Sequence, residues 1–291
     1  MADGPPKIFD RAAYRARRQR AKGDPFLAAQ AAELMAERLG TINRHFAIAL
    51  DLSSRQPSFE ALQHAAQNWV RVAPVADPDA PTIVADEEYV PFADASFDLV
   101  VSVLSLHAVN DLPGALVQIR RVLKPDGLFL AAMFGGDTLT ELRQAFVTAE
   151  AEITRGISPR VAPFADVREL GGLLQRAGFT LPVADVERTL VRYRELKTLF
   201  SDLRGLGETN SLKGRRTSLL TRSLLAAVTK EYSLHFADPD GRFRATFAIV
   251  YLIGWAPHES QQKPLLPGSA KTSLAEALGT VERPTGEKPT R

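Results

Sequence analysis

The run Phe97 to Leu106, FDLVVSVLSL, carries apolar residues on both of its alternating sets of positions, and this constrains the fold more than any other feature. A strand apolar on both faces has to be covered on both, which is the situation of an inner strand in a parallel sheet. Weaker strand patterns flank it at Phe46 to Leu52 (FAIALDL), Trp69 to Ala73, Thr82 to Ala85 and Leu128 to Phe134. Helical patterns fall between them. Residues 25–39 place Phe26, Leu27, Ala31, Leu34, Met35 and Leu39 at steps of three and four, with Gly40 just beyond. Residues 58–67 read as a short helix, and a longer one reaches Leu123 from the cap candidates Asn110 and Asp111. Lys124-Pro125-Asp126-Gly127 supplies the turn that follows. Strand and helix in alternation predict an α/β fold, a mostly parallel sheet with helices on both faces and any ligand at the carboxyl ends of the strands.

The second half is patterned differently. Helices are expected at 137–155, 166–177, 195–206 and 217–236, with strand-like Thr180 to Val186 and Thr189 to Tyr193 between them and a last strand from Arg242 to Trp255. This predicts an antiparallel edge and a helical insertion that acts as a lid. The resulting division is a basic arm (1–24), a core (25–194), the lid (195–240), a final edge strand (241–260) and a mostly flexible tail (261–291), which is rich in Pro, Lys, Gly and Ser.

With 291 residues and no cysteine, disulfide frameworks, thiolate zinc sites, cysteine-ligated iron–sulfur clusters and cysteine nucleophiles are excluded. The most apolar stretch, Phe247 to Trp255, is about half of the roughly 20 residues a spanning helix needs, so no transmembrane segment is expected. No charged-then-apolar leader opens the sequence, which points to a protein that is not secreted. The net charge of +2 hides a split: residues 1–24 hold seven Lys or Arg against Asp3, Asp10 and Asp24. A basic arm of this kind can meet a protein partner or make peripheral contact with an anionic membrane. Nucleic acid is disfavoured, because the body has no further basic run interleaved with aromatics. Ile8, Phe9, Ala12, Ala13 and Ala16 also give the arm a weak helical stripe, consistent with a solvated helix packed lightly on the core.

Asp86-Glu87-Glu88-x-x-Pro91-Phe92, Ser96-Phe97-Asp98-Leu99-Val100, Leu106-His107, Asn110-Asp111-Leu112-Pro113 and Leu123-Lys124-Pro125-Asp126-Gly127 together resemble class I S-adenosylmethionine methyltransferases. Further runs narrow the likeness: Met133-Phe134-Gly135-Gly136-Asp137-Thr138-Leu139, Gly205-Leu206-Gly207-Glu208-Thr209-Asn210, Tyr251-x-x-Gly254-Trp255 and His258-Glu259-Ser260-Gln261. These are similar to the respiratory complex I assembly branch, whose eukaryotic members are arginine hydroxylases of a complex I subunit. The malonyl carrier-protein methyltransferase of biotin synthesis is a more distant relative. The resemblance covers about residues 7–275. It implies a Rossmann-like class I methyltransferase fold, S-adenosylmethionine as cofactor, a respiratory complex I subunit as partner, and a bacterial cytoplasmic or mitochondrial-matrix setting.

It also implies a cofactor site at Asp51, Ser53, Asp77, Asp86, Glu87 and Ser102. In such folds the loop after the first strand is Gly-rich, because a Cβ there would collide with the methionyl end of the cofactor. A strand-two acid holds the ribose and a strand-three acid the adenine amine. Here the loop reads Asp51-Leu52-Ser53-Ser54-Arg55-Gln56-Pro57, and the strand-two acid falls on Pro74, with Asp77 three residues on. Asp86 keeps the adenine side. Two readings follow: a decayed cofactor site in a protein that binds or assembles, or an active enzyme with a remodelled loop in which Arg55 reaches the ligand's carboxylate.

For chemistry, His107 sits at the carboxyl edge of strand four, and Asp137 and Glu141 are four apart, on one helix face by spacing. Glu208 and Asn210, in a Gly-bounded turn of the insertion, are placed to close over the site. None of His45, His64, His107, His235 or His258 has an acid two positions on, so an iron-binding His-x-Asp or His-x-Glu is missing and hydroxylation rests on the resemblance alone. There is no Gly-x-Ser-x-Gly elbow and no phosphate-binding Gly-rich loop ending in Gly-Lys-Ser/Thr.

Overall fold

The computed structural model describes residues 7–22, 25–52, 55–77, 80–154, 156–262, 269 and 272–281. The chain divides into two units, Met1–Pro257 and His258–Arg291. The second unit shows a short helix, α9 (Leu274–Ala277), capped by Ser273, which accepts from the Glu276 N–H.

Within the first unit, α1 (Arg11–Arg20) and α2 (Phe26–Gly40) precede β1 (Phe46–Leu52), α3 (Gln56–Leu62), β2 (Ala66–Ala73), β3 (Ile83–Val84) and β4 (Phe97–Val103). Next come α4 (Leu112–Val122), β5 (Leu123–Phe134), α5 (Thr140–Thr154), α6 (Val167–Arg176) and β6 (Thr180–Tyr193). The unit closes with α7 (Leu196–Gly205), α8 (Arg222–His235) and β7 (Phe243–Trp255). The strands form one sheet in the order β3-β2-β1-β4-β5-β7-β6. Pairing is parallel from β3 through β5 and antiparallel on both sides of β7.

The α/β architecture and the antiparallel edge are as the sequence predicts, but four elements differ. β5 begins at Leu123, so Lys124 to Gly127 belong to the strand, with Asp126 at φ 60°, rather than to a turn before it. The helix expected over 58–67 ends at Leu62, and β2 already begins at Ala66. Thr180 to Tyr193 is one continuous strand rather than two, because pairing with β7 runs unbroken through Val186, Glu187, Arg188 and Thr189, and both charged side chains are exposed on this edge strand. The last strand is not at the rim: β7 is buried between β5 and β6, and β6 takes the edge.

Both sheet faces carry apolar cores. One contains α2, whose Leu27, Ala28, Ala31, Ala32 and Met35 are fully buried, together with α5, α7 and α8. The other contains α4 and α6. Four small or flexible side chains in five such positions let α2 approach β4 and β5 closely, and each fully buried Leu contributes about 1.5–3 kcal/mol. Local signals set the helix ends. Asp111 caps α4 by accepting from the Gly114 N–H at 2.9 Å, so tightly that a Cβ at position 114 would meet Asp111 Oδ2 at 2.3 Å. Asp166 and Glu169 form a capping box at α6.

Four tyrosines, Tyr14, Tyr193, Tyr232 and Tyr251, have phenols pushed above their ordinary range, chiefly because burial disfavours the phenolate. The folded chain keeps these protons where the unfolded chain has released them, so the stability present below about pH 10 is lost as pH rises beyond it. A urea midpoint measured at about pH 9 and about pH 11 is expected to drop sharply between the two. Equal midpoints would contradict this assignment.

Candidate functional site

The site lies at the carboxyl ends of β1, β4 and β5 and is assembled from four directions. The first is the arm. Asp10 caps α1 and also pairs with Arg215 at 2.9 Å, while the Ala13 N–H and Arg215 hold its carboxyl below the usual range. Ile8 to Asp10 run beside the insertion, with the Asp10 N–H donating to Ser211 O and the Lys213 N–H to Ile8 O, both at 2.8 Å. The Phe9 N–H donates to Asn110 Oδ1, so Asn110 anchors the arm while Asp111 alone caps α4. Tyr14 is buried, which makes α1 an integral part of the core rather than a lightly packed helix.

This docking delivers Arg11 to the loop after β3. Its Nη2 donates to Asp86 Oδ1 at 2.9 Å and to Glu87 Oε2, its Nε to Asp86 Oδ2 at 3.3 Å, and its Nη1 to Ala108 O at 2.9 Å. The guanidinium also lies 4.7 Å from the Tyr14 ring centre. Burial works against its charge, but Glu87, Tyr14 and Asp86 together more than offset that and raise its pKa. Glu87 is 1 % exposed and accepts a further bond from Ser105 Oγ. Arg15 adds a longer contact to Asp86 at 3.4 Å.

The second direction is the loop after β1. Asp51 is buried at the end of that strand. Arg55, where the resemblance implies glycine, reaches across to the insertion and donates to Leu206 O at 2.5 Å and Glu208 Oε1 at 3.2 Å. Ser53 lies outside the described residues. Asp77 is 3.9 Å from Arg71 Nη2, and its N–H donates to Thr82 Oγ1. Ser102 is buried within β4.

The third and fourth directions meet at His107. Beyond β4 the chain passes Leu104, which has φ 47°, into a single helical turn, Leu106–Ala108. His107 is 7 % exposed, and its Nε2 lies 3.0 Å from Glu208 Oε2. Its ring packs against Phe134 and Phe164, with centres 4.8 and 5.6 Å apart. Arg55, Glu208 and His107 thus form one line of guanidinium, carboxylate and imidazole drawn from three distant parts of the chain. Leu104 and Leu139 (φ 54°) both hold a conformation costing about 1–2 kcal/mol for a non-glycine residue, and they flank this region.

Beside His107 is a cavity of about 330 Å³. Its walls are mostly apolar, with Phe134, Leu142, Phe146, Phe164 and Phe247 among them, and His107, Glu208 and Asn210 supply polar lining. Arg160 on the same lining is held by the fully buried Glu150, its Nε donating to Glu150 Oε1 at 2.8 Å.

Two expected site residues lie elsewhere. Asp137 precedes α5 rather than sharing a helix face with Glu141, and it pairs with Arg188 at 2.7 Å in an exposed position. Glu141 is buried but faces β7, accepting from the Thr246 N–H at 3.1 Å and from Thr246 Oγ1 at 2.5 Å. Neither lines the cavity, and Glu141 fastens α5 to the sheet. The residues the sequence reading missed are Arg11, Ser105, Phe134 and Phe164. For Arg11 a signal existed: a cation between apolar Phe9 and Tyr14, matched by the acidic Asp86-Glu87-Glu88 run.

A methyltransferase domain profile matches residues 28–131. In structure, the chain is similar to the YcgJ protein of Bacillus subtilis, with a TM-score of 0.54 at 12% identity over 77% of this chain and 98% of that one, which shows a shared fold. In sequence, it is 40% identical to the human protein named "Arginine-hydroxylase NDUFAF5, mitochondrial", over 97% of this chain and 86% of that protein. The chain belongs to the NDUFAF5 family. A malonyl-[acyl-carrier protein] O-methyltransferase of Xylella fastidiosa is 37% identical over 60% of this chain and 57% of that protein, so the NDUFAF5 likeness extends further along the sequence.

Among the described residues, no helix is long and apolar enough to cross a membrane. No group of three or more His, Asp or Glu among them is placed to hold a metal ion.

Proposed function

We propose that this chain acts in the NDUFAF5 manner on a protein partner, a subunit of a respiratory complex, with its nucleoside site closed in the state described here. Arg11 carries the second part of this reading. An adenine amine would need the carboxylate of Asp86 as acceptor, and that carboxylate already takes four bonds, two from Arg11, one from Arg15 and one from the Glu88 N–H, which fill its lone-pair sites. Arg55 adds a second obstruction, its side chain spanning from the β1 loop to Glu208. As arranged, these residues do not fit an S-adenosyl group, so the reading routes no chemical step through one. The partner rests on the family: the relatives' arginine-hydroxylase name supports an arginine side chain as the acceptor, and their mitochondrial designation supports a matrix or bacterial cytoplasmic setting.

Within the site, His107 and Glu208 are the groups able to move or hold a proton, and Phe134 and Phe164 pack against the imidazole. Titration calorimetry with S-adenosylmethionine and S-adenosylhomocysteine tests the closed site: no heat up to millimolar concentrations is expected. Low-micromolar binding would end this reading in favour of an active methyltransferase with a remodelled loop. That second reading draws support from the retention of Asp51 and Asp86 at the ends of β1 and β3. The partner is tested by affinity capture followed by mass spectrometry of respiratory-complex subunits from cells with and without the gene. An unchanged arginine mass, together with no captured subunit, would remove it.

A further inference from the structure

We infer that the groove between α5 and α8 is a binding site for a small organic cation of the guanidinium type. The groove shares no lining residue with the cavity beside His107, and the inference does not depend on the reading above. Its volume is about 460 Å³, within the range of about 300 to 1,000 Å³ usual for ligand sites. α5 contributes Gln144, Ala145 and Thr148 to the lining, and α8 contributes Glu231, His235 and its C-cap Phe236. Gln144 and Thr148 are one turn apart, as are Glu231 and His235, so each pair shares a helix face.

Glu231 creates the demand. It is 8 % exposed, and its carboxylate accepts no hydrogen bond from any of the described residues. His235 Nε2 stays 3.7 Å from its Oε2, beyond hydrogen-bond reach, on a side chain that is itself 62 % exposed. Neither carboxylate oxygen is among the sealed polar atoms that lack a partner, so both are reachable from the groove. Buried polar groups are nearly always met, and an ionised carboxylate can only accept, so the missing group brings N–H donors and positive charge. The surroundings ask for the same. No Lys or Arg is on the lining, Gln144 and Thr148 each offer a further oxygen, and the negative end of the α8 dipole falls at Phe236, whose ring attracts cations. Arg244 does not fill the role, because its Nε donates to Phe236 O at 3.4 Å and lies 3.5 Å from Asp238 Oδ1. A guanidinium suits the place better than an ammonium: its planar fork can serve Glu231 and a second acceptor together, and it stacks on rings. A divalent metal ion is the competing chemistry, but among the described residues Glu231 and His235 are not joined by a third His, Asp or Glu.

Ligand-observed NMR on the unaltered full chain compares ethylguanidinium with ethylurea, which keeps the shape and loses the charge, and with tetramethylammonium, which keeps the charge and loses the N–H donors. Ethylguanidinium is expected to bind with a dissociation constant of about 1 mM, and each of the other two at least about tenfold more weakly. Glu231→Gln is expected to lose the preference for ethylguanidinium over ethylurea. Gln144→Glu, at an exposed position that does not put folding at stake, supplies an independent reading: a second carboxylate on the lining should tighten ethylguanidinium by about threefold or more. Equal binding of ethylguanidinium and either comparison compound, an unchanged preference in Glu231→Gln, no gain in Gln144→Glu, or no binding at tens of millimolar would each overturn the inference.

Discussion

Replacing Arg11 with Ala is expected to lower the unfolding free energy by about 3–5 kcal/mol, because it strands Glu87 as a buried carboxylate without its cation. For a chain of this size that corresponds to a fall in Tm of roughly 10 °C. Ser105 Oγ remains as a single neutral donor to Glu87, and the Asp86 carboxylate keeps only the longer Arg15 contact and the Glu88 N–H. Arg11→Lys should recover part of the loss, since it restores a charge but cannot span Asp86, Glu87 and Ala108 O at once. A calorimetric melt in which Arg11→Ala costs less than about 1 kcal/mol would show that the pair behaves as an exposed one.

The second large effect concerns ligand affinity. Combining Arg11→Ala with Arg55→Gly removes both guanidinium groups from the space between Asp86 and Glu208. At low temperature, where the variant remains folded, S-adenosylhomocysteine is expected to bind in the micromolar range against no detectable binding for the unaltered chain. A thousandfold gain is worth about 4 kcal/mol. Arg55→Gly alone should give an intermediate gain, because Arg11 still holds the adenine-side carboxylates. A double variant that is folded by circular dichroism yet silent in calorimetry would mean that obstruction is not what closes the site.

The parallel half of the sheet was legible because its strands are continuous apolar runs: Phe46 to Leu52 has the boundaries its pattern predicts, and Phe97 to Val103 falls inside the strongest run. The place of β7 was not legible. Sheet order is decided by which neighbour covers β5, and local sequence does not carry that. The site divides along the same line. His107, Arg55 and Glu208 each stood out singly, by position at a strand end, by replacing a glycine and by a Gly-bounded turn, but their mutual pairing joins residues more than a hundred positions apart. By sequence alone Arg11 reads, with the other cations of the arm, as a solvated charge. Its inward role follows from Tyr14 and Phe9 burying the helix face on which it sits, a tertiary effect. Asp137 and Glu141 looked paired because spacing alone cannot say that α5 begins only at Thr140.

The interior place of β7 has a consequence for biogenesis. β5 bonds to β4 on one side and waits on the other for a strand that ends at Trp255, so most of the chain must leave the ribosome before the sheet can seal. Until then Leu128 to Phe134, a row of apolar residues with an open hydrogen-bonding rim, is offered to any passing strand. Nascent chains stalled between β6 and β7 should therefore be the ones that recruit chaperones, and a premature stop just upstream of Phe243 should yield aggregate rather than a smaller folded domain.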